Sequence, residues 1–218
     1  MNIVVAGGTG FLGVAITEAL VASGHSVTVA SRSRPRRAGS STSTSWRHAD
    51  VTDAATLGEA LEGAQVVVDA VQFPNMPVEN ASKGFTFENI DLRGTQRLVD
   101  AAVAAGVSLF IELSGVGASG DAPYHWLRYK SQEEDYIRAS GLPFVIFRPS
   151  WIYGPRDVSL NRFLGFSRWL PFVPVIGDGK TRINPLFVGD LGAVVAAAIA
   201  RPDVYGRTFE VGGPAVLT

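Results

Sequence analysis

The run Asn2-Ile-Val-Val-Ala-Gly7-Gly8-Thr9-Gly10-Phe11-Leu12-Gly13 constrains this chain more than any other stretch. A short β-branched run leads directly into glycines at three-residue steps, and a helix-length pattern, residues 11–22, follows. Such a run suits a strand buried on both faces, so the glycines fall in a strand-to-helix turn. A phosphate reaches backbone N–H donors only where no Cβ blocks its approach. Gly7 and Gly10 open the turn for that approach, and Gly13 lets the helix pack on the sheet. The helix N-terminus then faces a pyrophosphate, with Gly7, Thr9, Gly10, Phe11 and Leu12 as its contacts. Glycines also serve a tight turn that binds nothing. Their place between an N-terminal strand and a helix turns the reading toward a dinucleotide.

Further apolar runs at residues 26–30, 65–71, 107–113 and 143–147 alternate with helical patterns at 54–61, 85–105 and 127–140. Gly24, Gly63, Gly106 and Gly141 stand just past helix ends as C-terminal caps. The alternation predicts an α/β fold, a doubly wound parallel Rossmann sheet covered by helices on both faces. Residues 1–150 form the dinucleotide-binding core, and 151–218 complete the sheet and part of a substrate pocket within one structural domain. Residues 31–45, rich in Arg, Ser, Pro and Gly, read as a loop, and Gly177-Asp178-Gly179 as a turn.

With 218 residues, 46% of them hydrophobic, the chain can bury one large core. Nineteen basic against 20 acidic residues leave a charge of -1, which disfavours a nucleic-acid partner. There is no cysteine, and the three histidines, His25, His48 and His125, are scattered, so no metal site is expected. No stretch reaches the roughly 18 apolar residues of a membrane span. With no basic segment ahead of Ile3, a cytoplasmic protein is expected.

The second strand ends in Ser31-Arg32-Ser33-Arg34, with Arg36 and Arg37 beyond. In a Rossmann fold this position faces the adenosine ribose, where an acid would accept from both ribose hydroxyls. Here no acid repels a 2′-phosphate, and guanidinium groups bind one in bidentate fashion, so NADP(H) is favoured over NAD(H). Ser31, Arg32 and Arg37 are the candidate phosphate contacts, with Arg36 as a substitute for Arg37 and a solvated basic loop as the alternative. Asp50 and Val51 are placed for the adenine, and Ala70 and Val71 for the pyrophosphate and ribose side.

The glycine loop is joined in order by Asp50-Val51-Thr52-Asp53, Ile90-Asp91-Leu92-Arg93-Gly94-Thr95, Leu113-Ser114, Lys130, Arg148-Pro149 and Val188-Gly189-Asp190-Leu191. With these motifs the chain resembles the atypical short-chain dehydrogenase/reductases over essentially its whole length. Within them it is closest to the NmrA-like group and the nucleotide-binding accessory subunits of respiratory complex I. The resemblance implies about seven strands in the order 3-2-1-4-5-6-7. It places the nicotinamide after the sixth strand, where Pro149 and Ile152 can pack on the ring. Members continue into a helical lobe, whereas here Thr218, a helix-capping residue type, ends the sequence; the chain is either compact or truncated.

Active members of that superfamily use a Ser and a Tyr-x-x-x-Lys helix, in which Tyr protonates the carbonyl oxygen and Lys lowers its pKa and holds the ribose. Ser114 and Lys130 match, but Trp126 stands four residues before Lys130. Tyr124 is the candidate replacement, from a loop ahead of the helix, with His125 as a second. Glu133-Glu134-Asp135 reads as a solvated helix face, and Asp190 as the cap of a helix over 191–200. Phe163, Phe166, Trp169, Leu170 and Phe172 are either core or the wall of an apolar pocket; Arg182 and Asn184 either face the ligands or pair with acidic neighbours.

The leading expectation is an NADPH-dependent oxidoreductase acting on a quinone-like or small apolar carbonyl substrate. The second is a non-catalytic NADP(H) sensor or assembly protein whose surface a partner protein reads. The third is an epimerase or isomerase that retains its nicotinamide.

Overall fold

The computed structural model describes residues 1–34, 43–157, 160–161, 165 and 178–218. Its strands are β1 (Asn2–Ala6), β2 (Ser26–Ser31), β3 (Thr44–His48), β4 (Val66–Asp69), β5 (Leu109–Leu113), β6 (Phe144–Pro149), β7 (Ile152–Tyr153), β8 (Leu186–Phe187) and β9 (Arg207–Val211). Its helices are α1 (Phe11–Ala22), α2 (Ala54–Leu61), α3 (Arg93–Ala104), α4 (His125–Ala139) and α5 (Val188–Ile199). Seven strands pair in parallel in the order β3-β2-β1-β4-β5-β6-β9. This is the expected Rossmann order, with β9 in the seventh place because β7 and β8 pair with each other outside the main sheet.

The pleat sorts the apolar runs into two cores. Val4, Val67, Phe110 and Ile146 face Leu57, Leu61, Leu98, Val99 and Ile137 of α2, α3 and α4. Their neighbours Ile3, Val5, Val66, Val68, Leu109, Ile111, Val145 and Phe147 face Ile16, Leu20, Leu191 and Val195 of α1 and α5. Continuous Val/Ile runs, rather than alternating ones, follow from a sheet covered on both sides. Helices α1 and α5 meet at Gly192, where a Cβ would lie 2.9 Å from the Ala15 carbonyl oxygen.

Several boundaries differ from expectation. The segment 85–105 is not one helix: a π-helical stretch, Phe87–Leu92, precedes α3. Ile90, Asp91 and Leu92 are all buried there. Three consecutive residues of an ordinary α-helix span about 200° and cannot share a face, so the wider turn has a packing reason. Helix α5 starts at Val188, two residues ahead of Asp190; the acid therefore sits in the first turn, complementing the helix dipole, and is not the cap. The expected loop 31–45 is shorter, because β2 runs to Ser31 and β3 starts at Thr44; residues 35–42 of it lie outside the described residues.

Candidate functional site

A cleft of about 1270 Å³ opens along the C-terminal ends of the strands, where chain order reverses between β1 and β4. Doubly wound sheets bind their ligands at this crevice. Its wall brings together Gly7, Thr9, Gly10, Phe11, Leu12, Ser31, Arg32, Asp50, Val51, Ala70, Val71, Ser114, Lys130, Pro149 and Ile152. Tyr124 is not among them: it is the residue just before α4, and it is 63% exposed. Arg36, Arg37, Phe163, Phe166, Trp169, Leu170, Phe172 and Gly177 lie outside the described residues.

At the β1–α1 turn the backbone forms a cradle that side chains would fill. A Cβ on Gly13 would overlap the Gly7 carbonyl oxygen and lie 2.5 Å from Gly8 Cα. Gly7 has φ +72°, and a Cβ there would lie 2.7 Å from the Ala70 carbonyl carbon. Gly10 precedes α1, no side chain caps the first turn, and no acid occupies it. Amides free of a protein cap at a helix N-terminus suit a pyrophosphate, so the residues present fit a dinucleotide.

At the β2 end, Ser31 is buried; its hydroxyl donates to the Ser33 carbonyl at 2.9 Å and accepts from Trp46 Nε1 at 3.0 Å. That hydroxyl positions the turn, and its hydrogen is already engaged. The Arg32 guanidinium lies over the Phe85 ring, 5.4 Å from its centroid. Burial pushes the Asp50 carboxyl up, but hydrogen bonds from Thr52, together with Arg32 and His48, outweigh it and hold the group below the usual carboxylate range.

At the β5 end, Ser114 and Lys130 both reach the cleft, each tied to a carboxylate behind it. Ser114 Oγ donates to Glu134 Oε1 at 2.6 Å, and Glu134 accepts two hydrogen bonds from Arg148, at 2.8 and 2.7 Å, and one from Arg138 at 2.7 Å. Lys130 Nζ donates to Glu112 Oε1 at 3.0 Å and Glu133 Oε2 at 2.7 Å. Glu133 and Glu134 are both fully buried, which corrects their reading as a solvated face. Adjacent helix residues point about 100° apart, and here each meets a different cation, Glu133 meeting Lys130 and Glu134 meeting Arg148 and Arg138.

Lys130 is thus the cation among four acids, Glu112, Glu133, Asp91 and Asp69. Burial favours its neutral amine, but the acids prevail and hold its pKa well above the usual lysine range. Burial likewise raises Asp69, Glu112 and Glu133, more than Lys130 lowers them. Asp91, 4% exposed, is pushed up to about 8, and its Oδ2 has no hydrogen-bond partner among the described residues. Sequence reading missed Asp91 as a site residue. The available signal was an acid beside the apolar residues Phe87, Ile90 and Leu98. Arg156 and Arg182 also line the cleft, with Asn184 beside them donating to the Gly213 carbonyl.

Fold and cradle together define a Rossmann nicotinamide-dinucleotide-binding protein. Residues 7–162 match the family described as NAD(P)H-binding, and the chain belongs to that family. The mitochondrial NADH dehydrogenase (ubiquinone) 1 alpha subcomplex subunit 9 of Rattus norvegicus is 31% identical over 166 residues, 76% of this chain and 42% of that protein. The NAD(P)H azoreductase of Xenophilus azovorans is 25% identical over 173 residues, 78% of this chain and 52% of that protein. The chain therefore spans about half the length of these curated relatives. Among solved structures, UDP-glucuronic acid 4-epimerase from Bacillus cereus in complex with NAD superimposes with TM-score 0.85 at 19% identity, covering 99% of this chain and 79% of that one, which is a likeness of fold. Among the described residues no helix is long and apolar enough to cross a membrane.

Proposed function

We propose that this protein is an NADPH-dependent oxidoreductase of a quinone-like or small apolar carbonyl substrate. The observation that carries the reading is the continuity of one cleft from the glycine cradle to an apolar wall of Leu113, Val116, Trp126, Pro149, Trp151 and Ile152. At about 1270 Å³ the space exceeds the roughly 300–1000 Å³ that a single small ligand takes, leaving room for a substrate beside the dinucleotide. When bound, the dihydronicotinamide supplies hydride. The chain binds and orients: the α1 amides hold the pyrophosphate, Arg32 the 2′-phosphate, and Asp50 and Val51 the adenine. Lys130 keeps one N–H beyond those given to Glu112 and Glu133, and that N–H serves the nicotinamide ribose. Ser114, whose hydrogen is engaged by Glu134, presents only lone pairs to the cleft.

A second reading, an NADP(H)-binding partner or assembly protein, is favoured by Trp126 in the tyrosine position and by the relative named as a complex I subunit. Fluorescence titration with NADPH and NADH, followed by quinones and aldehydes added to the saturated complex, separates the two. Acceptor-dependent oxidation is the expected result; tight binding without turnover selects the second reading. Arg32→Ala is expected to weaken NADPH by about tenfold or more while leaving NADH unchanged, the size of one lost charge-assisted contact.

A further inference from the structure

We propose that Asp91 is the proton donor of this cleft, giving the substrate oxygen the proton that a tyrosine four residues before Lys130 would otherwise supply. The proposal rests on the oxidoreductase reading above and follows from the dissociable protons along the described cleft wall. That wall contains no tyrosine and no histidine. The Ser114 hydrogen is held by Glu134, and the Ser150 hydroxyl donates to the Asn184 carbonyl. Two of the Lys130 N–H groups are held by Glu112 and Glu133 at 3.0 and 2.7 Å, and its acidic surroundings keep the third from dissociating. Asp50 accepts from the Thr52 amide and hydroxyl, which hold it below the usual carboxylate range, and Asp157 accepts from the Leu160 amide.

Asp91 differs from all of these. It lines the cleft with Ser114 and Trp126, is almost wholly buried, and carries an Oδ2 with no partner among the described residues. A buried carboxylate oxygen with nothing to accept from is costly, so the neutral carboxyl is favoured at this place on the cleft wall. The surroundings keep the proton in place: burial is the main cause, Glu133, Asp69 and Glu79 add to it, and Lys130 opposes it. On α3, Arg93 turns to Glu88 and Arg97 to the Val51 carbonyl. An acid that titrates near the working pH is the efficient kind.

In the step proposed, the substrate's carbonyl carbon accepts hydride from the dihydronicotinamide of NADPH, leaving NADP⁺, and its C=O π pair moves to oxygen. Asp91 breaks its O–H bond to give that oxygen a proton, and the carboxylate left behind is reprotonated by water.

The test compares the full chain with D91N, which replaces a neutral carboxyl by a neutral amide of the same shape. NADPH affinity is expected to stay within about twofold, while kcat with a quinone or aldehyde falls about 10²- to 10⁴-fold. Wild-type kcat should fall as pH rises through the Asp91 range, since only the protonated form donates, and the D91N residual rate should not follow that limb. Independently of turnover, the infrared spectrum of wild type minus D91N at pH 7 should contain a protonated-carboxyl band. The proposal is overturned if D91N keeps kcat within about threefold, if that spectrum shows only carboxylate, or if the wild type binds NADPH yet reduces no acceptor. Failure of the wild type to bind NADPH is a different result: it removes the dinucleotide reading itself.

Discussion

The Ser114 hydroxyl donates its one hydrogen to Glu134, at 2.6 Å, and so faces the cleft as an acceptor. Glu134→Ala would release that hydrogen but strip Arg148 of its carboxylate and leave Arg138 with Asp135 alone. Truncating one side of a buried pair costs about 3–5 kcal/mol; with Arg148 and Arg138 at 22% and 38% exposure, a loss of about 2–3 kcal/mol is expected. Burial opposes ionisation of Glu134, but hydrogen bonds from Arg148, Ser114 and Arg138 prevail and lower its pKa. Its contribution is therefore present above the ordinary carboxyl value of 4.5 and is lost as pH falls through the lowered folded value. Urea denaturation should show wild type and E134A differing at pH 7 and converging in acid.

Lys130 has one observed role, pairing with Glu112 and Glu133, and one proposed role, holding the nicotinamide ribose. Lys130→Met leaves Glu112 and Glu133 buried without their cation, and unfolding free energy should drop by about 3 kcal/mol or more. It also removes the N–H assigned to the ribose, so NADPH affinity should fall by about tenfold. The double variant K130M/E133Q should recover part of the stability and none of the affinity. Parallel recovery of both would assign Lys130 to structure alone.

The glycine cradle predicts a graded series. Gly7→Ala meets both a positive φ and the Ala70 backbone, and Gly13→Ala meets the Gly7 and Gly8 backbone. Strain of about 1–3 kcal/mol at each should weaken NADPH by about 10- to 100-fold and lower thermal stability as well. At Gly10 the nearest atom is the Gly7 carbonyl oxygen, 3.2 Å from the added Cβ. Gly10→Ala should therefore weaken NADPH with a smaller change in melting temperature.

Asp91 should also leave a signature in stability. Its folded pKa is raised from 3.8 to about 8, so its contribution is full below the unfolded value and is lost as pH rises toward 8. D91N does not titrate. Over that window the variant should gain on the wild type by at most about 1.4 kcal/mol per pH unit, measured by chemical denaturation at successive pH values. A constant difference between the two would place the Asp91 proton elsewhere.

Much of the cofactor half was legible because it is local. Gly7, Gly10 and Gly13 act through missing Cβ atoms a few residues apart, and Ser31-Arg32 stands at a strand end that the apolar run already marks. The central strands were legible because a sheet covered on both faces leaves unbroken apolar runs, whereas the edge strands β3 and β9, Thr44–His48 and Arg207–Val211, carry no such run and were not read as strands. The network of buried charges was not. Nothing in Glu133-Glu134-Asp135 says that Glu133 turns to Lys130 and Glu112, or that Glu134 turns to Ser114 and Arg148. Lys130 lies one turn before Glu133 on the same helix, but Glu112, Ser114 and Arg148 belong to β5, its end and β6, which meet α4 only in the folded molecule.

By itself, the sequence determined the alternation of apolar strands and helices through residue 147 and the glycine turn, since these depend on backbone sterics and apolar periodicity over short spans. Tertiary structure decided that Tyr124 stays at the surface, that Lys130 sits among four acids and that burial pushes the Asp91 carboxyl above its ordinary range. Whether a side chain is charged depends on the water removed from it and on charges brought near it by distant parts of the chain, and neither quantity exists before the fold forms.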